Sequence, residues 1–489
     1  MVNLRLGVPV KVVLLNSNTD LAERIENEAA WPPLGLLYTG TVLQNHGHEV
    51  KLIDNARVQL SVEKVVERVE KEDPEIVGIS ALTHTFKQSM KLADAIKEKN
   101  PDIKIVYGNY HPTFECEKLL KNCPNADYVV LGEGEYTFLE LVEKLEKGDD
   151  IEEVKGIAFR HNGSVIRTPP RPFIQKLDEL PFPDRGLLEQ EYHSELVGVL
   201  GSGCKFTTIL SSRGCPYGCK YCACAAFTAR MTRFRSPENV VDEMELLWSE
   251  GYEEVGFVDD NLLLNSKRVG KICDLLKARK IKLNMWAEGR ADQASLEMLK
   301  KFSRAGCKTI YFGLESGVQK VLDYYGKNIT PELGRKAVSN SKQAGIENVI
   351  GSFIVGAPIE TRDDVQRTFD FALSLKDMDF SQMNILILAP GIELWDNAIK
   401  SGYLNEDRFW KAPVAAVNVY PSHLKEEELT RMIDGFYRKF LKRPSYLASQ
   451  LLKTLKSGYR LRILLANLRA GTSLRKTLGQ LWGGQQQKG

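Results

Sequence analysis

The 489-residue sequence predicts an α/β chain: an N-terminal doubly wound parallel sheet of Rossmann-like type, then a partial (β/α)6 TIM-type barrel, then a C-terminal helical region. Three observations predict it. Short apolar runs alternate with helical patterns over the first 150 residues, which is how a parallel sheet reads. A second alternating series of six runs begins near residue 206. Beyond about 425 the pattern is helical only, rich in Leu, Lys and Arg. The implied boundaries are 1–150, 151–205, 206–400 and 401–489.

In the first series, "KVVLLNSN" (11–18), "HEVKLID" (48–54), "IVGISA" (76–81), "IKIVYG" (103–108) and "YVVLG" (128–132) read as strands. "GLLYTGTVLQNHG" (35–47) reads as a helix stopped by Gly47, and "FKQSMKLADAIKEKN" as another. Ligands of such sheets sit beyond the strand carboxyl ends, here "SALTHT", "GNYHPT" and "GEGEYT". Residues 150–205 break the rhythm. "GIAFRHNGSVIRTPP" predicts a hairpin at Asn162-Gly163, and "TPPRPFIQKLDELPFPDR" an extended linker. The barrel strands are "FTTILSS", "EVGFVDD", "KLNMWAEG", "TIYFGLES", "NVIGSFIVG" and "QMNILILAP". Their polar ends, which form the mouth of a barrel, carry Arg213, Asp259, Asp260, Glu288, Arg290, Glu315 and Glu360.

A hydrophobic content of 43% is ordinary for globular protein, and no window nears the ~20 apolar residues of a membrane span. The short apolar run near the N-terminus reads as a strand, not a secretory signal. A cytoplasmic setting follows, where clustered thiols mean metal or redox chemistry more often than disulfides. Net charge is +2, but residues 435–489 hold 12 Lys and Arg and no Asp or Glu. That basic, leucine-rich end suits peripheral contact with a membrane, or a solvated helical cap.

Four of nine cysteines crowd into "SSRGCPYGCKYCACAAF" (211–227). Cys215, Cys219 and Cys222 have the spacing C-x-x-x-C-x-x-C. Structural zinc normally takes four ligands in separated pairs, and no second pair is present. A 4Fe–4S cluster takes thiolates, and three would leave one iron open. Cys224 lies outside the triplet and reads as a small packed side chain.

"RGCPYGCKYC" resembles the signature of radical S-adenosylmethionine (SAM) enzymes. "EVGFVDDNLLLN", "WAEGRAD", "AGCKTIYFGLESG", "AGIENVIGSFIVGAPIET" and "LAPGIELW" resemble successive barrel segments of the subfamily with a cobalamin-binding domain. "PPLGLLYTGTVLQNHGHEVKLID", "VGISALT", "GNYHPT" and "DYVVLGEGE" resemble that domain. The likeness spans roughly residues 10–400. It implies that Cys215, Cys219 and Cys222 ligate a 4Fe–4S cluster, whose open iron chelates SAM and whose electron splits it to a 5′-deoxyadenosyl radical. It places Tyr221 near the adenine. Asp259 and Asp260 stand near the site of the SAM amino group, and Arg290 is the candidate for its carboxylate. Glu288 and Glu315 are candidates for the amino group or ribose. For cobalamin, the candidate contacts are Ser80, Leu82, Thr83, Gly108, Tyr110, His111, Glu133 and Gly134. The cobalt-ligating Asp-x-His-x-x-Gly motif of many cobalamin domains is absent.

Three readings stand side by side. The resemblance implies cobalamin-dependent methyl transfer to carbon of a lipid, isoprenoid, tetrapyrrole or other natural product. It also admits ring formation, C–C bond formation or oxidation without methyl transfer. A non-enzymatic cobalamin or iron–sulfur sensor is a third. Either enzyme reading requires a small-molecule or lipid substrate and an external electron donor such as flavodoxin or ferredoxin. Nucleic acid is not an expected partner, because the basic end lacks the aromatic strands of an RNA-binding sheet.

Overall fold

The computed structural model describes residues 9–18, 31–196, 199–405, 410 and 424–469. The first sheet is centred on β1 (Lys11–Asn16), flanked by β2 (Glu49–Asp54) and β3 (Ile76–Ser80). β4 (Lys104–Gly108) and β5 (Tyr128–Val130) follow outward, giving the parallel order 2-1-3-4-5. Val12, Val13, Leu14 and Leu15 are all buried, as expected when helices cover both faces. The winding reverses between β1 and β3, which opens a crevice at their carboxyl ends.

The Asn162-Gly163 turn forms with φ of 49° and 78°, the positive values a two-residue hairpin turn needs. Its strands, β6 (Ile157–His161) and β7 (Ser164–Arg167), do not begin a separate linker. They add antiparallel to β5 and complete a seven-stranded sheet.

The second sheet starts with an antiparallel edge, β8 (His193–Leu196) on β9 (Val199–Ile209). β9 begins well before the apolar run that signals it. A short ribbon of β10 (Ser212–Arg213) and β11 (Arg233–Phe234) pinches off the cysteine loop. β12 (Glu254–Phe257), β13 (Asn284–Arg290), β14 (Cys307–Glu315), β15 (Asn348–Val355) and β16 (Phe380–Ile385) then line up parallel, in chain order. With β9 they make six parallel strands. β16 and β8 are opposite edges of the sheet, so the barrel is partial. All six expected barrel strands form.

The barrel core packs Val255, Phe257, Ile310, Phe312 and Phe353 against its helices. Helix Glu426–Leu441 adds Leu429, Phe436 and Phe440 to that core, with Phe436 5.1 Å from Phe369. Helices Pro444–Lys456 and Gly458–Arg469 lie at the amino-terminal end of the strands. There Tyr459 meets Glu254 at the start of β12, and Tyr446 donates to the Asp379 carbonyl just before β16 (2.7 Å). Among the described residues, no helix is long and apolar enough to cross a membrane.

Candidate active site between the two sheets

The loop after β10 is held by three constraints. Gly214 has φ of 91°, and an added Cβ would meet the Met231 carbonyl oxygen at 1.9 Å, so only glycine fits. Its N–H donates to Asp260 (2.7 Å). The Lys220 N–H donates to the Tyr325 carbonyl (2.9 Å). The loop thus presents Cys215, Cys219 and Cys222 half-buried, while the other six cysteines, all free thiols, are buried. Burial first, then the neighbouring Cys222 and Cys219, pushes the Cys215 thiol up. The Cys222 thiol is lowered, chiefly by its hydrogen bond with Cys224, and the Cys224 thiol is raised by the same bond. Among the described residues, no three His, Cys, Asp or Glu side chains meet tightly enough to hold a single ion. Three thiols on one loop at the mouth fit a cluster with one open iron.

Beside the thiols, three side chains interlock. Lys327 Nζ donates to Glu315 Oε1 (2.8 Å) and to the Tyr221 hydroxyl (3.1 Å), and Tyr221 donates to Glu315 (2.9 Å). Glu315 sits at a register shift of β14 with φ of +60°, a left-handed conformation costly for a non-glycine residue. Arg290 lies 3.7 Å above the Tyr217 ring and points Nη1 at the Cys219 sulfur (3.9 Å). Lys327 has no signal in the sequence: "YYGKNIT" reads as a turn, and only the fold buries its amine.

The expected SAM contacts divide. Asp260 and Glu288 face the mouth. Glu288 is reachable by water yet closely walled, and burial, then Asp260 and Glu315, raise its pKa to about 7. Asp259 does not face the mouth. It is buried, accepting from the Ser211 hydroxyl (2.6 Å), the Ser212 hydroxyl (2.5 Å) and the Ser211 N–H (3.1 Å). β12 ends at Phe257, and the loop beyond it turns the two carboxylates apart, Asp259 onto the serines and Asp260 toward the thiol loop. The Arg290 fork is not open either: Nε and Nη2 bond to Asp292 (3.1 and 3.2 Å), and Nη2 also to the Lys327 carbonyl (2.7 Å). Glu360 is fully buried and bonds the Ala357 N–H (2.7 Å), closing its own turn.

A cavity of about 520 Å³ runs from the β1/β3 crevice to Asp260. Its walls include the expected Ser80, Leu82, Gly108, Tyr110, Glu133 and Gly134. A Cβ at Gly35, Gly108 or Gly132 would enter open space, so the wall is a cradle left by missing side chains. Asn16, Tyr38, Phe227 and Thr228 also line it, and none of them was singled out from sequence. Tyr110 reaches across and stacks on Phe227 at 4.2 Å. This cradle fits a large planar ligand, and among the described residues no histidine lines it.

Three of the eight expected cobalamin contacts are reassigned. His111 is 1% exposed, packed on Phe86 (4.2 Å) with Nδ1 3.3 Å from the Thr83 hydroxyl. Burial, with Lys87 and Lys118, lowers its pKa to about 3. His111 and Thr83 therefore lie beneath the loop, outside the cavity. Glu133 is in the wall, but its carboxylate is taken. It receives Arg213 Nη1 (3.0 Å), Arg233 Nη1 (2.8 Å) and the Ile174 N–H (2.8 Å). Arg213 also holds Glu135 (2.5 Å). The Gly-Glu-Gly-Glu loop thus clamps the first sheet to the barrel.

Comparison with known proteins agrees with this geometry. Residues 24–142 match the B12 binding domain family, and residues 209–372 the radical SAM superfamily. An uncharacterized methyltransferase of Pyrococcus horikoshii is 33% identical over 443 residues, covering 90% of this chain and 95% of the relative. The anaerobic magnesium-protoporphyrin IX monomethyl ester cyclase of a Synechocystis species is 30% identical, covering 73% of this chain and 71% of the relative. The fold resembles the radical SAM methyltransferase TsrM of Kitasatospora setae, solved with cobalamin and a [4Fe-4S] cluster. The TM-score is 0.66 at 19% identity, covering 81% of this chain and 78% of that one.

Proposed function

The chain belongs to the radical SAM enzymes that carry an N-terminal B12-binding domain, and from that premise we propose that it transfers a methyl group to a carbon of a small-molecule substrate. In this reading the sheet of β1 to β7 belongs to the corrinoid domain and the sheet of β8 to β16 to the SAM barrel. The observation that carries it is the cavity joining the β1/β3 crevice to Asp260, beside the thiol loop. When bound, the cluster at Cys215, Cys219 and Cys222 supplies the electron that cleaves SAM, and the corrinoid supplies the methyl group. Glu288, and Asp260 with one oxygen already on the Gly214 N–H, are the acceptors proposed for the SAM amino group. Tyr221 is locked by Glu315 and Lys327, which fixes its ring as a wall. Arg290, already held by Asp292, sets a positive charge beside Cys219 instead of clamping a carboxylate. Ser80, Leu82, Gly108, Tyr110 and Gly134 would line the corrinoid.

The test is anaerobic reconstitution with iron, sulfide and a corrinoid, followed by methyl-labelled SAM and a reductant. Label on the protein-bound corrinoid together with 5′-deoxyadenosine supports methyl transfer. Deoxyadenosine with no label on the corrinoid overturns it. That result would favour ring formation or oxidation, the reading supported by the cyclase relative. Corrinoid and cluster retained without SAM cleavage would point to a sensor.

A further inference from the structure

Helices Pro444–Lys456 and Gly458–Arg469 are packed inside out. Their polar residues face the barrel. Asp379, 6% exposed, receives Gln450 (3.1 Å), Lys453 (3.0 Å) and Arg460 (2.7 Å), and also binds Lys342. Leu447, Leu451, Leu455, Leu461 and Leu465 face away. Leu447, Leu451 and Leu455, at i, i+4 and i+8, form a ridge in which Leu451 is 60% and Leu455 70% exposed. Leu461 and Leu465 continue it on the second helix, both more than 40% exposed. An apolar ridge on that scale, on helices held by charges, marks an interaction surface.

We propose that this leucine ridge docks on the surface of an anionic lipid bilayer. Charge complementarity selects that occupant. Residues 435–489 carry 12 Lys and Arg and no acidic residue, and Lys456 is exposed beside Leu455. The carboxylates that face the two helices are all engaged. Asp379 holds the cations above, Glu253 pairs with Arg462 (2.8 Å), Glu347 with Lys308 (2.8 Å), and Glu254 bonds Tyr459 (3.2 Å). A second copy would bring like charge against like charge. Exposed leucines flanked by Lys456, on a stretch with no acidic residue, match the lipid interface, where apolar side chains enter the acyl boundary and basic ones meet headgroups. The ridge sits at the amino-terminal end of the barrel strands, opposite the mouth. The contact therefore tethers the enzyme and does not deliver a lipid to the thiol loop. The basic end gives no support to a lipid substrate.

Flotation of the full chain with vesicles tests this. Equimolar phosphatidylglycerol and phosphatidylcholine should carry the protein, and pure phosphatidylcholine should not. Binding should fall as salt shortens the screening length. The double variant Leu451→Ser, Leu455→Ser should weaken binding about 100-fold, near tenfold per leucine withdrawn, with SAM cleavage unchanged. Deleting the whole basic end would be uninformative, because Phe436 and Phe440 belong to the barrel core. No flotation with anionic vesicles overturns the proposal. So does equal binding to both vesicle types. So does a dimer in sedimentation that the same double variant dissociates while the chain ignores lipid.

Discussion

Replacing Glu133 by Gln should loosen the junction of the two sheets. Glu133 is half-buried, with its side chain 10% exposed, and its carboxylate receives Arg213 (3.0 Å), Arg233 (2.8 Å) and the Ile174 N–H (2.8 Å). Burial alone would raise its pKa, but Arg233 and Arg213 prevail and hold it below the ordinary carboxylate range. Its stabilisation is therefore full above that range and is lost as pH falls through the depressed value. Breaking a buried pair costs about 3–5 kcal/mol because a charge is left uncompensated. Here the lower end applies. Arg213 keeps Glu135 (2.5 Å), Arg233 keeps the Ile174 carbonyl (2.8 Å), and Gln still accepts one bond. About 3 kcal/mol corresponds to about 100-fold in an opening equilibrium. Hydrogen exchange of the Ile174 amide in the full chain reads that opening. Glu135→Gln is the control, since it breaks an Arg213 pair but leaves the acceptor of the Ile174 N–H in place. It should speed the same amide if separation of the sheets limits exchange. The double variant Glu133→Gln, Arg233→Met should cost less than the sum of its singles. A change of under about threefold in the single variant, or strict additivity in the double, would refute the clamp.

Replacing Cys215, Cys219 or Cys222 with Ala should abolish iron loading and SAM cleavage, whereas Cys224→Ala should retain both; iron assay and deoxyadenosine yield decide. Glu288, with its pKa raised to about 7 in the folded chain, holds a proton that the unfolded chain has released, so stability falls as pH rises from about 4.5 to 7. Glu288→Gln should flatten that part of the Tm against pH curve, and parallel curves would count against it. Asp379 is pushed up by burial but held at about 2 by Lys342, Arg460 and Lys453, so its contribution is full above the ordinary aspartate range and lost as pH falls toward 2. Asp379→Asn strands those cations and should cost about 3–5 kcal/mol in urea unfolding at neutral pH.

What could be read from sequence was what is local. The strands announce themselves because a parallel sheet covered on both faces demands unbroken apolar runs such as "KVVLL" and "TIYFG". The thiol loop announces itself because its spacing is the chemistry. Glycine at 108 and 134 was legible as wall material, because a ligand at strand ends needs close backbone approach. Partners were not legible. Nothing near Glu133 in sequence shows that Arg213 and Arg233, 80 and 100 residues away, will take its oxygens. Lys327 needs the fold to meet Glu315. Nor was the turning away of Asp259 legible, because β12 ends at Phe257 and the loop beyond it decides which aspartate meets the serines.

The C-terminal helices show why a helical period does not by itself say which face is inside. A repeat of leucines at 447, 451 and 455 is symmetrical with respect to that choice. Ordinarily burial of apolar area decides it, at about 25 cal/mol per Å². Here one carboxylate competes. Asp379 stands at the foot of β16, buried, with Lys342 already against it. Lys453 and Arg460 come from two different helices, so satisfying Asp379 fixes the rotation of both. Turning the leucines inward would withdraw these cations and leave the carboxylate desolvated and underpaired. That cost, about 3–5 kcal/mol, is joined by the other polar contacts that would be lost, Tyr446 with the Asp379 carbonyl and Arg462 with Glu253. The polar face therefore holds the inside, and the leucines become a surface. That inversion is the physical basis for expecting the lipid contact at the back of the barrel.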